Sequence, residues 1–169
     1  MKNRHDILGQ AFGNWVFSGI TVIESGFALA PGLSVIKYQI TDPETNEVKE
    51  VTAGTGLASR PNCVGNVAGN KSLSQWFNTS AFAYPAFGFF GNCGTGLIRG
   101  PGENTWNWAF FKNFPLRERA KVQFRAELFN IWNHPSFDQV GTSLGSGDFG
   151  QVTRALEPRI IELALRIDF

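Results

Sequence analysis

Long apolar runs are missing from this chain: nowhere in its 169 residues is there an uninterrupted stretch near the ~18 that mark a transmembrane helix. An excess of one charge is missing too, with 15 basic against 14 acidic residues. That balance removes the basic stripe a nucleic-acid partner needs, and a polybasic membrane patch as well. Histidine and cysteine are scarce, at two each. Cys63 and Cys93 fit neither a zinc pattern nor a redox Cys-x-x-Cys, which leaves a disulfide in an oxidising compartment or two free thiols. Neither a Ser/His/Asp, a Cys/His nor a paired-glutamate set occurs at a catalytic spacing, so no enzymatic role, metal or cofactor is expected. His134 stands beside Pro135 in the turn-rich NIWNHP and reads as a loop residue rather than a ligand. GTGLIRGPG lacks the Gly-Lys-Ser/Thr ending of a phosphate loop.

What is abundant is aromatic and turn-forming: sixteen Phe, five Trp and nineteen Gly, an all-β profile. The final run, RIIELALRIDF, alternates strictly. Ile161, Leu163, Leu165, Ile167 and Phe169 take one parity; Glu162, Ala164, Arg166 and Asp168 take the other. AKVQFRAELFNIW repeats the device, with Val122, Phe124, Ala126 and Leu128 against Lys121, Gln123, Arg125 and Glu127. A period of two means strands with one apolar and one polar face. Each run has about the 9–11 residues of a tilted strand crossing a bilayer. Alternation alone favours an ordinary soluble sheet, which is far commoner. Dense charge of both signs on the polar faces, and an ending on an aromatic residue, point instead to a barrel with a wet or plugged lumen.

In a barrel, charge decides the facing. Shifting either strand by one residue would turn its charged set toward hydrocarbon, where each Arg or Lys near the midplane costs roughly 2–4 kcal/mol. Lys121, Arg125, Glu127, Glu162, Arg166 and Asp168 are therefore expected to face the lumen. Antiparallel pairing would bring Lys121 near Asp168 at the periplasmic rim.

From the start, MKNRHD and Ala28-Leu29-Ala30 imitate a signal peptide, but Asn14, Ser18, Thr21 and Glu24 interrupt the apolar core it would need. A strand over 13–27 is the better reading, with Phe17, Thr21 and Ile23 on one parity. Residues 31–104 read as one long extracellular loop. It opens with a hairpin over 34–53, whose two β-rich runs flank DPETNE. Beyond residue 55 come Gly, Asn, Ser and Pro with scattered aromatics, too many rings for disorder. They suit a loop packed on itself; an exposed platform for a sugar or peptide, with Trp76, Phe77 and Tyr84 as contacts, is the sharper alternative. Asn78-Thr79-Ser80 matches a glycosylation acceptor that carries no weight in a bacterial setting. Strands follow at 105–114, with Trp106, Trp108, Phe110 and Phe114 on one parity, at 120–131 and at 159–169. PLRER makes the turn between the first two, with Pro115 ending the ladder.

RPNCVGN, QWFNTSAFAYPAFGFFGN, LIRGPGENTWNWAFFKNF, RAELFNIWNHPSF, FGQVTRALEPR and the terminal LALRIDF together resemble the C-terminal portion of TonB-dependent outer-membrane receptors. The likeness is to the Oar-like group with large surface loops, and GNWVFSGITVIESGF looks like a barrel strand of that group. The resemblance implies a large barrel in the outer membrane, an internal plug, and nutrient import driven through the TonB complex. It implies as partners the rest of the barrel and plug, outer-membrane lipid, and TonB through an N-terminal part that this chain lacks. It also implies that a strand ending in Phe is read by the assembly machinery, which gives Phe169, Ile167 and Leu165 that role.

The expected fold is thus all-β: an antiparallel meander of about four transmembrane strands, a segment of a large barrel that does not transport alone. The first strand would lie inside a longer receptor, of which this chain is a fragment. A soluble β-sandwich binding carbohydrate or peptide, and a small oligomeric outer-membrane barrel, are the competing readings. The transported substrate is not legible.

Overall fold

The computed structural model describes residues 12–34, 36–53, 60–117 and 120–169. Among the described residues, eight strands longer than two residues follow in chain order: β1 (Trp15–Glu24), β2 (Ile36–Thr41), β3 (Val48–Ala53), β4 (Glu103–Arg117), β5 (Ala120–Phe129), β6 (Phe137–Val140), β7 (Val152–Ala155) and β8 (Ile160–Asp168). The chain divides into two compact units. One holds the long strands, up to Glu24 and over 103–136 and 156–169; the other takes 25–102 and 137–155.

The first unit is a four-stranded sheet in the order β1-β4-β5-β8, every neighbour antiparallel. Register follows the alternation. Val122 pairs with Ile167, Phe124 with Leu165, Ala126 with Leu163 and Leu128 with Ile161, so the apolar sets of β5 and β8 share a face. Across β4 the same face continues through Phe114, Phe110 and Trp108, and across β1 through Phe17, Thr21 and Ile23. At the centre Gly19 pairs with Trp108, and a Cβ there would stand 2.9 Å from the indole Cδ1. The ring covers the glycine, so a larger residue would push it off the sheet.

Three boundaries differ from the sequence reading. β1 is shorter than 13–27: Asn14 adopts φ 59°, and residues 25–27 belong to the second unit. β5 ends at Phe129 rather than 131 because Asn130 turns into the left-handed region at φ 48°. Its amide fixes that turn, Nδ2 donating to the carbonyls of His134 and Glu157 and Oδ1 accepting from the His134 N–H. Pro115 does not end the ladder. β4 runs through it to Arg117, Pro115 pairs with Lys121, and the register slips between Ala120 and Lys121. A bulge is where a sheet tolerates a residue without an N–H. The rest of the PLRER turn, residues 118–119, lies outside the described residues, as do 1–11, 35 and 54–59.

The second unit is more than a loop. It has its own core of Leu29, Phe77, Ala81, Phe82, Cys93, Ile98 and Val140, with Phe149 and Val152 packed against it. Phe77, Phe82 and Phe149 meet edge to face, their centroids 5.1–5.6 Å apart. The 137–155 segment contributes to this core, and the β6–β7 pair is tied by Arg154 gripping the Asp138 carboxylate with two nitrogens.

The hairpin lies at 36–53, where β2 pairs with β3 in continuous register. Asp42 organises its turn by accepting the Glu44 and Thr45 N–H groups and pairing with Lys49. The Lys49 ammonium first, then those N–H groups, hold its carboxyl below the usual aspartate range. A depressed folded pKa contributes stability above the unfolded value that disappears as pH falls through the folded one. Amide-exchange protection of 36–53 should therefore be flat from pH 7 to 5 and fall only below the ordinary aspartate range. Asp42→Asn should remove that acid-induced loss, and an unchanged acid profile in the variant would contradict the assignment.

Candidate functional site

Two faces of the β1-β4-β5-β8 sheet carry the chemistry. The apolar face has Ile161, Leu163, Leu165 and Ile167 exposed at 55–72%. Rings bound it at both ends. Trp106, Trp108 and Trp132 cluster with centroids 5.9–6.4 Å apart at the end that carries the long connections. Trp15 and Phe114 mark the other end. Trp106 and Phe114 are eight residues apart, which makes about 26 Å of strand and roughly 20 Å of height at a ~40° tilt. An apolar band about 25 Å tall between aromatic girdles is the outer surface of an outer-membrane barrel. Of the terminal residues, Leu165 and Ile167 stand on this band and Phe169 is fully exposed.

Lys112 is the exception on the apolar face, and the sequence reading passed over it. It shares the parity of Trp106 to Phe114 yet is only 1% exposed. Its Nζ donates to the Gly13 carbonyl and lies 5.3 Å from the Trp15 ring and 5.4 Å from the Phe114 ring. A lysine stem lying along apolar surface, its head held by a carbonyl and ring faces, is compatible with a lipid-facing strand near an interface.

The opposite face carries the charges. Lys121 pairs in register with Asp168, their charged atoms 3.6 Å apart, and Arg166 Nε donates to the same carboxylate at 2.8 Å. Glu127 stands directly across from Glu162, a like-charge pairing that costs some stability. Arg125 offsets it by bonding Glu127 at 2.8 Å while stacking 5.0 Å over Phe111. All six charged residues expected on one face are thus on one face. Interspersed are apolar groups the charge argument did not anticipate, Val16 and Ile20 of β1, both more than half exposed.

At the end of this polar face bearing the long connections lies a hollow of about 320 Å³, lined by Glu103, Thr105, Asn107, Phe129, Ser136 and Glu157 among others. Asn107 Oδ1 accepts the Asn130 N–H and fixes its floor. Ser136 is 4% exposed, and among the described residues its hydroxyl has no hydrogen-bond partner. A second hollow of about 250 Å³ shares Asn107 and Phe129 with it and reaches Arg125 and Glu127. Sequence reasoning missed this pair of hollows, since Ser136 and Glu157 come from connections. Among the described residues, no three His, Cys, Asp or Glu side chains converge as a cation site.

The loop aromatics separate. Phe77 is not a ligand contact: at 1% exposure it is the centre of its unit's core. Trp76 is half-buried, its indole N–H donating to the Arg99 carbonyl at 2.8 Å. Tyr84 is exposed, as are Phe87, Phe89 and Phe90. Asn78-Thr79-Ser80 is a cap: Asn78 Oδ1 accepts both the N–H and the hydroxyl of Ser80, starting a short 3₁₀ turn. Cys63 and Cys93 are bonded across thirty residues, with Cα atoms 5.0 Å apart. On the chain-entropy relation that closure is worth about 3.6 kcal/mol. Cys63→Ser/Cys93→Ser should therefore speed protease nicking within 60–93 by several hundredfold, in the regime where cleavage follows the open population. Equal nicking rates would show that the core holds the loop without the bond.

The family signature described as outer membrane beta barrel domain matches residues 1–162. The chain belongs to that family and is a protein of the outer membrane. No curated protein and no solved structure matches it.

Proposed function

We propose that this sheet is part of the barrel of a TonB-dependent receptor that imports a scarce nutrient, completed by further barrel strands and a plug. The observation that carries this reading is the sheet itself. Among the described residues it has four strands, one face for lipid, one face lined with charge, and open edges at β1 and β8. Open edges do not persist in hydrocarbon, and single-chain bacterial barrels begin at eight strands. The resemblance of 60–169 to the Oar-like group supports a large barrel over a small one. Partners on this reading are the remaining strands and plug, lipid and the TonB complex. No catalytic step is assigned to it.

The test is uptake in the source bacterium, comparing wild type with a strain lacking this locus on a panel of limiting nutrients, with and without TonB. A locus-dependent uptake that stops when TonB is removed is expected. Uptake that persists without TonB, as through an open pore, would overturn the reading. A heat-modifiable band at a small multiple of 18.6 kDa would instead favour an oligomeric barrel.

A further inference from the structure

The apolar face of the β1-β4-β5-β8 sheet is not electrically neutral. Alternation puts every Asp and Glu of the four strands on the opposite face, so no carboxylate shares the parity of Phe17, Phe110, Phe124 and Leu163. Two cations do share it. Lys112, at the Phe114 end, is already held by the Gly13 carbonyl and two ring faces. Arg159 stands at the other end, one residue before β8 and on the parity of Ile161. Glu157, Pro158 and Ile160 line the hollow on the charged face and Arg159 does not, which puts its side chain on the apolar side.

The surroundings of Arg159 are aromatic, and their free polar groups donate. The Arg159 backbone N–H is accepted by Asn133 Oδ1 at 3.1 Å, which ties it to the turn carrying Trp132. Trp132 is 62% exposed and meets Trp106 and Trp108 edge to face. Trp106 gives its indole N–H to Asn104 Oδ1, so the amide oxygens of Asn104 and Asn133 are both in use. Among the described residues, neither the Trp132 indole N–H nor the exposed Arg159 guanidinium has a hydrogen-bond or ion-pair partner.

We infer that the rim formed by Trp132 and Arg159 docks the phosphate of an anionic lipid in the outer leaflet. A guanidinium offers paired donors that match phosphate oxygens, and the indole N–H adds another. The aromatic belt of a membrane protein lies at headgroup depth, so the donors are at the level of the lipid phosphates. The clustered Trp rings give the start of the acyl chains a flat apolar bed. A zwitterionic headgroup also brings an ammonium, for which this face of the strands has no carboxylate. The Phe114 end has no comparable place, because its cation is taken, and that asymmetry assigns the site to the leaflet at the Trp end. The inference rests on the leucine face meeting lipid and is independent of TonB.

The experiment uses the intact receptor, delipidated in lauryldimethylamine oxide. Native mass spectrometry follows retention of lipid A, of lipid A stripped of its phosphates, and of phosphatidylethanolamine, with inorganic phosphate as the soluble competitor. Lipid A should be retained, and the two other lipids should bind roughly tenfold more weakly, as expected when a charge-assisted contact is lost. Arg159→Gln should weaken lipid A binding about fivefold. Its melting temperature without lipid should match wild type, since the Arg159 side chain bonds nothing else among the described residues. Arg166→Gln, which removes a cation from the opposite face, should leave retention unchanged. Equal retention of the stripped lipid, unchanged binding in Arg159→Gln, an equal loss in Arg166→Gln, or inorganic phosphate bound more tightly than lipid A would each overturn the inference. Lipid retention is read without TonB, so its failure leaves TonB-dependent uptake standing, and a loss of TonB dependence leaves the lipid site standing.

Discussion

Replacing Leu163 and Leu165 together with arginine should all but abolish assembled protein in the outer membrane, whereas Glu162→Gln with Arg166→Gln should leave assembly near wild type. Both leucines lie mid-strand in β8, each about 70% exposed on the apolar face. The pairings of Leu163 with Ala126 and Leu165 with Phe124 place them at the middle of the band, between the Trp106 and Phe114 levels. A cationic side chain at that depth costs roughly 2–4 kcal/mol, so two cost about 4–8 kcal/mol, a large part of the ~5–15 kcal/mol that a typical domain holds in reserve. Glu162 and Arg166 point the other way, toward water, and losing a surface charge there costs little. The measurement is the amount of protease-resistant receptor in outer-membrane fractions, with each single variant intermediate. Equal amounts for both double variants would contradict the proposal that the leucine face meets lipid.

That experiment depends on a feature the sequence showed plainly. In β5 and β8, polar and apolar residues alternate over 121–128 and 161–168, with Ala164 the one small residue on the polar parity, so the strands and their register came from one pattern. The Lys121–Asp168 pairing is a consequence of that pattern. β1 was harder because Val16 and Ile20 make the face opposite Phe17 apolar as well, and periodicity has nothing to distinguish when both faces look alike. Its orientation came only from β4, whose Phe110 pairs with Phe17. Lys112 was hidden for the opposite reason. A single charge in an aromatic run looks like a break in the pattern, and only the nearby Gly13 carbonyl and two rings show how it is accommodated. The hollow at Ser136 was not legible at all, because it is assembled from strand ends and two connections distant in sequence.

The loop region was misread in one respect that can be tested directly. Phe77→Ala should lower the stability of the unit formed by 25–102 and 137–155 by about 3–5 kcal/mol, the usual cost of emptying a buried phenylalanine site. Tyr84→Ala should change it by no more than about 0.5 kcal/mol, as expected of an exposed side chain. The difference follows from position. Phe77 is packed against Phe82 and Phe149, and its own backbone closes over Gly69, where a Cβ would stand 2.5 Å from the Phe77 Cα. Nothing of comparable size can shift to fill the space, and the Cys63–Cys93 bond next to it limits collapse. Composition could not tell these rings apart, since Trp76, Phe77 and Tyr84 lie within nine residues of one another among the same Gly, Ser and Asn neighbours. Limited proteolysis of the assembled receptor reads the outcome: the 60–102 segment should become readily cleaved in Phe77→Ala and stay protected in Tyr84→Ala. Protection retained in Phe77→Ala, together with lost binding of an added sugar or peptide, would return Phe77 to the role of a ligand contact.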